Sequence, residues 1–180
     1  MVPPLVELAR AVAARLGFER SCSDETGRLL HLLANQRGRA RVAEIGAGAG
    51  VGAAWILSGL RPEATFVSVE PDDARAAAVT DLLSGDENAR VLHGAWREVL
   101  PGEGPFDLVF ADGGGIQTKL DETLLGLLAP GGTLVLDDLT PDCTGPDPVR
   151  DLWLRHPRVA AMELRVSDCE SVIVAVLQSG

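Results

Sequence analysis

The stretch from Arg41 to Leu60 constrains the fold more than any other part of the chain. A short apolar run, Arg41-Val42-Ala43-Glu44-Ile45, leads into glycine at every second position, Gly46, Gly48, Gly50 and Gly52, and then into Ala53-Ala54-Trp55-Ile56-Leu57. Residues 41–46 read as a strand and residues 49–60 as a helix, with the glycines bridging them. Glycine permits positive φ and lets a second backbone or a ligand approach closely. A helix starting there contributes free N–H groups and the positive end of its dipole. A turn of this kind, at the carboxyl end of a strand, can wrap a nucleoside.

The rest of the chain repeats this strand–helix alternation. Residues 64–70 (ATFVSVE), 89–94, 105–112 (PFDLVFAD) and 131–138 (GGTLVLDD) read as strands, and residues 71–85, 118–129 and 147–157 carry helical patterns. Two helices precede the first strand. One spans 3–17, with prolines at its start and Gly17 at its end. The other spans 23–36, where Ser23, Asp24 and Glu25 mark an N-terminus. The tail holds two β-rich runs, 159–167 and 171–178, separated by a tight turn, and these should pair antiparallel. Alternating strands and helices imply βαβ units on a parallel sheet covered on both faces. The expectation is therefore an α/β, Rossmann-like fold: one domain over residues 1–180, with N-terminal helices over 1–40 and a core over 41–180. Its sheet has seven mostly parallel strands and an antiparallel last one.

Composition narrows the range of partners. The formal net charge is -10 and 46% of residues are hydrophobic. An acidic chain lacks the basic footprint of a nucleic-acid binder, so a small-molecule substrate is favoured. Cys22, Cys143 and Cys169 are odd in number and widely spaced, which fits reduced thiols and not a zinc site. Nothing reaches the roughly 18 apolar residues that a membrane span requires, and the N-terminal helix is amphipathic, unlike a signal peptide. These features point to the cytoplasm.

Glu70 ends the second strand. A carboxylate there can accept hydrogen bonds from ribose hydroxyls, in NAD and in adenosyl sulfonium ligands alike. Gly48-Ala49-Gly50-Val51-Gly52-Ala53 even fits the loose dinucleotide fingerprint. The order of the motifs separates the two. VAEIGAGAG, VSVEPD, PFDLVFAD and LLAPGGTLVLDD, followed by a terminal hairpin, resemble the class I S-adenosylmethionine-dependent methyltransferases over residues 41–138. The resemblance implies that Gly46, Ala47 and Gly48 face the methionine part of that cofactor, above Glu44, with Gly50 also among the cofactor-binding residues. It places the ribose at Glu70 and Pro71, and the adenine beside Gly94, Ala95 and Trp96. Trp96 can stack on the adenine or serve the core.

Within that superfamily the chain resembles the catechol and caffeoyl-CoA O-methyltransferase group, through Ser23-Asp24-Glu25-Thr26-Gly27, VAEIGAGAGVGAAWI, FDLVFAD and LVLDD. The resemblance implies a divalent metal, Mg²⁺ or similar, held by Asp112 after the fourth strand and by Asp137 and Asp138 after the fifth. Oxygen-only ligands suit such a cation, and carboxylates brought together repel one another unless a cation or protons intervene. The implied activity is O-methylation of a small hydroxylated compound, with Asp112 and Lys119 as catalytic candidates.

The departures from the group bear on substrate and base. Gly115 stands where the group places lysine, with Lys119 a few residues beyond. Asp138 replaces asparagine, Gly52 replaces a hydroxyl residue, and only about 40 residues precede the first strand. A metal-independent methyltransferase and a non-catalytic binding or dimerisation module are the competing readings. Residues 140–148 are a candidate substrate lid or homodimer contact.

Overall fold

In the computed structural model, residues 1–113, 122–142 and 145–178 are described. They form a seven-stranded sheet in the order β3-β2-β1-β4-β5-β7-β6. The strands are β1 (Arg41–Ile45), β2 (Thr65–Glu70), β3 (Ala89–His93), β4 (Phe106–Ala111), β5 (Leu128–Leu139), β6 (Val159–Arg165) and β7 (Ser171–Leu177). The β1–β5 pairings are parallel, whereas β7 runs antiparallel to both β5 and β6. The Rossmann-like architecture with a reversed final strand is as the sequence implied.

The helices among the described residues are α1 (Pro4–Leu16), α2 (Asp24–Ala34), α3 (Val51–Gly59), α4 (Asp73–Leu83), α5 (Trp96–Val99), α6 (Glu122–Gly126) and α7 (Pro148–Leu154). Their ends follow local chemistry. Ser23 accepts a hydrogen bond from the Thr26 N–H at the start of α2, Asp72 accepts one from Arg75 at α4, and Asp147 accepts from Val149 and Arg150 at α7. Gly17 closes α1 in the left-handed region, φ 61°.

Alternate residues of each strand serve opposite faces. On one face Ala43, Val67, Val109 and Leu134 pack with Leu124, Leu125 and Trp153 beneath α6 and α7. On the other Val42, Phe66, Leu108 and Val135 pack with Leu30, Leu33, Ile56 and Val79 beneath α2, α3 and α4. Helix α3 is buried on nearly every side because α1 and α2 cover its outer surface. This explains why its sequence is apolar all round.

The segment before β5 departs from expectation. The helix expected over 118–129 ends at Gly126 among the described residues, and residues 114–121 lie outside them. Strand β5 starts at Leu128, ahead of Pro130-Gly131-Gly132, and its register against β4 shifts between Phe106 and Leu108. The reason is local pairing: the Phe106 N–H donates to the Leu127 carbonyl at 2.7 Å, which draws that segment into the sheet early. Gly132 then passes so close to the Ala129 and Phe106 carbonyls that a Cβ would lie 2.7 and 2.8 Å from them.

Where the chain crosses from the β3 side of the sheet back to β4, β1 and β4 become neighbours. The crevice outside their carboxyl ends is the usual ligand position in open α/β sheets. The packing of α2 on α3 uses another close approach, since a Cβ at Gly59 would sit 2.3 Å from the His31 carbonyl oxygen. Gly59→Ala is expected to destabilise the protein by about 1–3 kcal/mol, seen as a lower denaturant midpoint at unchanged slope.

Candidate functional site

A cavity of about 710 Å³ opens at the carboxyl ends of β1, β2, β4 and β5. Its walls include Glu44, Gly46, Ala47, Gly48, Glu70, Pro71, Gly94, Ala95, Trp96, Asp112, Asp137 and Asp138, so the structure brings nearly all the sequence candidates to one place. Gly50 is outside the lining. It caps α3 at φ 86°, and a Cβ there would meet Leu82 of α4 at 2.8 Å. Lys119 and Gly115 lie outside the described residues.

The glycine loop is shaped by backbone contacts. Gly46 has φ 93°, and a Cβ on it would lie 2.0 Å from the Asp112 carbonyl oxygen. The Asp112 N–H donates to Ile45 at 2.9 Å, tying the end of β4 to the end of β1. Gly48 has φ 54°, and the Phe18 ring packs where its Cβ would be. The loop's own N–H groups point inward. Those of Gly46 and Ala47 donate to the Val69 carbonyl, that of Gly50 to Ala47, and that of Gly48 to Glu70 Oε2 at 2.8 Å. Four of the loop's N–H groups are therefore engaged within the protein, while carboxylates line the space beyond. Such walls favour a cationic ligand over a pyrophosphate.

Glu44 lies beneath the loop and is almost wholly buried. It accepts hydrogen bonds from the Ser68 hydroxyl and the Ala53 N–H. Gly52 leaves room for it, because a Cβ there would come 2.3 Å from Glu44 Oε1. Glycine at that position thus has a packing reason. Burial pushes the Glu44 carboxyl up to about 8, with the Ser68 bond opposing and the Asp112 and Glu70 charges adding to the rise.

Glu70 is 2% exposed and multiply bonded. Oε2 takes the Gly48 N–H, and Oε1 takes the Asp72 N–H at 3.0 Å and two donors of Arg75 at 3.1 and 2.7 Å. On the opposite side of the cavity, Asp112 is raised to about 8, first by burial and then by the Asp137 and Asp138 charges, with Arg20 opposing. Asp137 is buried and raised to about 6, again first by burial, with its backbone hydrogen bond at Asp138 opposing. Asp138 is exposed and turns through φ 66°. The three carboxylates share the cavity and one another's field. Among the described residues, though, no three His, Cys, Asp or Glu side chains gather closely enough to hold a metal ion.

Several cavity residues were not legible beforehand. Phe18, Arg20, Ser21 and Cys22 come from the connector between α1 and α2, and Cys169 and Glu170 come from the β6–β7 turn. These segments carry no motif. Arg75 did leave a trace, since a basic residue in the first turn of α4 opposes the helix dipole and calls for a nearby acid. Burial and carboxylate neighbours, Asp137 foremost among them, raise the Cys22 thiol well above its ordinary value.

A methyltransferase-domain family model matches residues 43–139. A relative from Mycobacterium ulcerans, named as an O-methyltransferase, is 34% identical over 166 residues, covering 87% of this chain and 73% of its own length. The chain belongs to the class I S-adenosylmethionine-dependent O-methyltransferase family. It spans 52–63% of the length of further relatives from Mycobacterium and Mycolicibacterium bearing the same kind of name. Among solved structures, an O-methyltransferase from Bacillus cereus in complex with S-adenosylhomocysteine shares the fold. Its TM-score is 0.83 at 24% identity, covering 99% of this chain and 92% of that one. A methyltransferase from Podospora anserina bound to S-adenosylhomocysteine is 25% identical, with TM-score 0.79 and coverage of 99% and 89%.

The buried Glu44 gives a pH test. Its folded pKa, about 8, lies above the ordinary 4.5, so its contribution is fully present below pH 4.5 and is lost as pH rises through 8. Stability should therefore fall between pH 5 and 8 in the parent protein. In Glu44→Gln that decline should be smaller, as urea melts at several pH values would show.

Proposed function

We propose that this chain transfers the methyl group of S-adenosylmethionine to a hydroxyl oxygen of a small molecule, with help from a divalent cation. The observation that carries the reading is the division of one cavity. The glycine loop and Glu70 form one wall, and Asp112, Asp137 and Asp138 form the other. In this reading Gly46, Ala47 and Gly48 border the methionine part of the cofactor. Glu70 and Pro71 border the ribose, and Gly94, Ala95 and Trp96 border the adenine. Arg97 lies over the Trp96 ring, 4.4 Å from its centroid, and steadies that indole.

S-adenosylmethionine supplies a methyl group on a cationic sulfonium. The engaged loop donors and the acidic surroundings favour such a charge over a dinucleotide's phosphates. The acceptor hydroxyl would approach from the Asp112 side, its oxygen bonding to the methyl as the sulfonium C–S bond breaks and its proton passing to solvent, leaving the methyl ether and S-adenosylhomocysteine. Positioning two reactants in a shared, partly enclosed space supplies much of the rate in reactions of this kind.

The carboxylates fit a hard divalent cation by donor chemistry, being oxygen-only, and Asp112 and Asp137 are raised in pKa first by burial and then by neighbouring carboxylate charge. Asp112, Asp137 and Asp138 would have to draw closer together to hold it, and it would then lower the pKa of an acceptor hydroxyl. Asp112 is the proposed catalytic carboxylate. Lys119, the other catalytic candidate, keeps its standing from the sequence alone. No helix among the described residues is long and apolar enough to cross a membrane. A cytoplasmic enzyme, and a homodimer contact through residues 140–148, complete the proposal; residues 143 and 144 lie outside the described ones.

Methyl transfer to a panel of phenols, catechols and aliphatic alcohols, with and without EDTA, tests this reading. EDTA is expected to lower turnover at least tenfold, with recovery on adding Mg²⁺. Asp112→Asn is expected to lose about 10–100-fold in kcat. Full turnover in EDTA would remove the cation from the mechanism.

A further inference from the structure

Arg75 has no role in the reading above, yet it is the best-connected cation in the cavity wall. Its Nε and one terminal nitrogen both reach Glu70 Oε1, at 3.1 and 2.7 Å. Its guanidinium lies over the Phe18 ring, 5.4 Å from the centroid, and that ring covers Gly48. Gly48 in turn donates its N–H to Glu70 Oε2. Gly48, Glu70, Arg75 and Phe18 thus close a ring of contacts, and all four line the cavity.

This ring sets what Glu70 can offer. A carboxylate presents about four lone-pair sites, two on each oxygen. Oε1 already receives the Asp72 N–H and both Arg75 donors, so it is saturated. Oε2 receives only Gly48 and keeps one site open. The planar guanidinium holds Oε1 through two donors while the Gly48 N–H holds Oε2, and together these contacts fix the carboxylate plane; a lysine's compact ammonium lacks the rigid two-donor fork that the Oε1 side requires.

We infer that Arg75 is a positioning residue that locks the Glu70 carboxylate so that Oε2 alone remains for the cofactor's ribose. The pair carries little exposed charge, with Glu70 side-chain exposure at 3% and Arg75 at 32%, so the link is shielded from solvent on its acidic side. The Phe18 stack anchors the guanidinium from the far side and ties the α1–α2 connector to the cofactor wall. The inference rests on the assignment of Glu70 to the ribose.

The test uses the full chain and calorimetric titration with S-adenosylhomocysteine and its 2′-deoxy and 3′-deoxy counterparts. The parent protein is expected to bind the natural ligand at least tenfold tighter than one of the deoxy forms. In Arg75→Ala that ratio is expected to fall to threefold or less. Arg75→Lys should lose it too, and serves as the second variant if the alanine form folds poorly. A ratio that survives in both variants overturns the role of Arg75. A parent protein that binds S-adenosylhomocysteine but treats all three ligands alike overturns the ribose assignment of Glu70, and the inference falls with it. A purely structural role for Arg75 predicts equal weakening of all three ligands, with the ratio intact.

Discussion

The close passage of β1 beside β4 is the constraint on which the rest of the site depends. At Gly46 the two backbones come so near that no side chain fits between the loop and the Asp112 carbonyl. That contact fixes where β1 stops and where the glycine loop turns. It also sets the position of Asp112 relative to the loop, because the Asp112 N–H is bonded to Ile45. The cofactor wall and the acidic wall are therefore held in register by main-chain atoms. Main-chain geometry is stiffer than any pair of side chains, and a reaction between two bound partners needs that stiffness.

Around this contact the protein satisfies its own polar groups before any ligand arrives. The loop donors are used by Val69, Ala47 and Glu70, and Glu44 is enclosed with Ser68 and Ala53 as partners. The surplus left over is negative, carried by Asp112, Asp137 and Asp138 at the far wall. A buried surplus of one sign is costly unless ligand, cation or protons offset it. Burial first, and neighbouring carboxylate charge second, raise Asp112 to about 8 and Asp137 to about 6, so near neutral pH a proton on Asp112 offsets part of that surplus. The same electrostatic surplus that makes the wall unfavourable by itself makes it receptive to a sulfonium and to a divalent ion.

The N-terminal helices are part of this arrangement. Their connector places Phe18 on Gly48 and Arg75, and sets Arg20 and Cys22 in the cavity. A short leading region thereby reaches the site through one loop, while α1 and α2 bury α3, whose first turn carries Ala53 above Glu44. Packing of the N-terminal helices and shape of the cofactor wall are consequently coupled.

Local patterns determined much of this protein. Apolar period and turn chemistry gave the order of strands and helices, since each depends on neighbours a few residues away. Gly46 and Gly48 were legible because only glycine takes those φ values without strain, and Glu70, Asp112 and Asp137 because strand ends in a parallel sheet point to one edge. The early start of β5 was hidden, because it follows from Phe106 pairing with Leu127 across strands. Tertiary structure alone decided which loop N–H groups are already engaged, that Gly50 packs beside Leu82 instead of lining the cavity, and that Asp138 is the exposed member of the acidic wall. It alone brought Phe18, Arg20 and Glu170 to the site. Walls of a cavity are assembled from segments distant in the chain, and no local periodicity records which of them will meet.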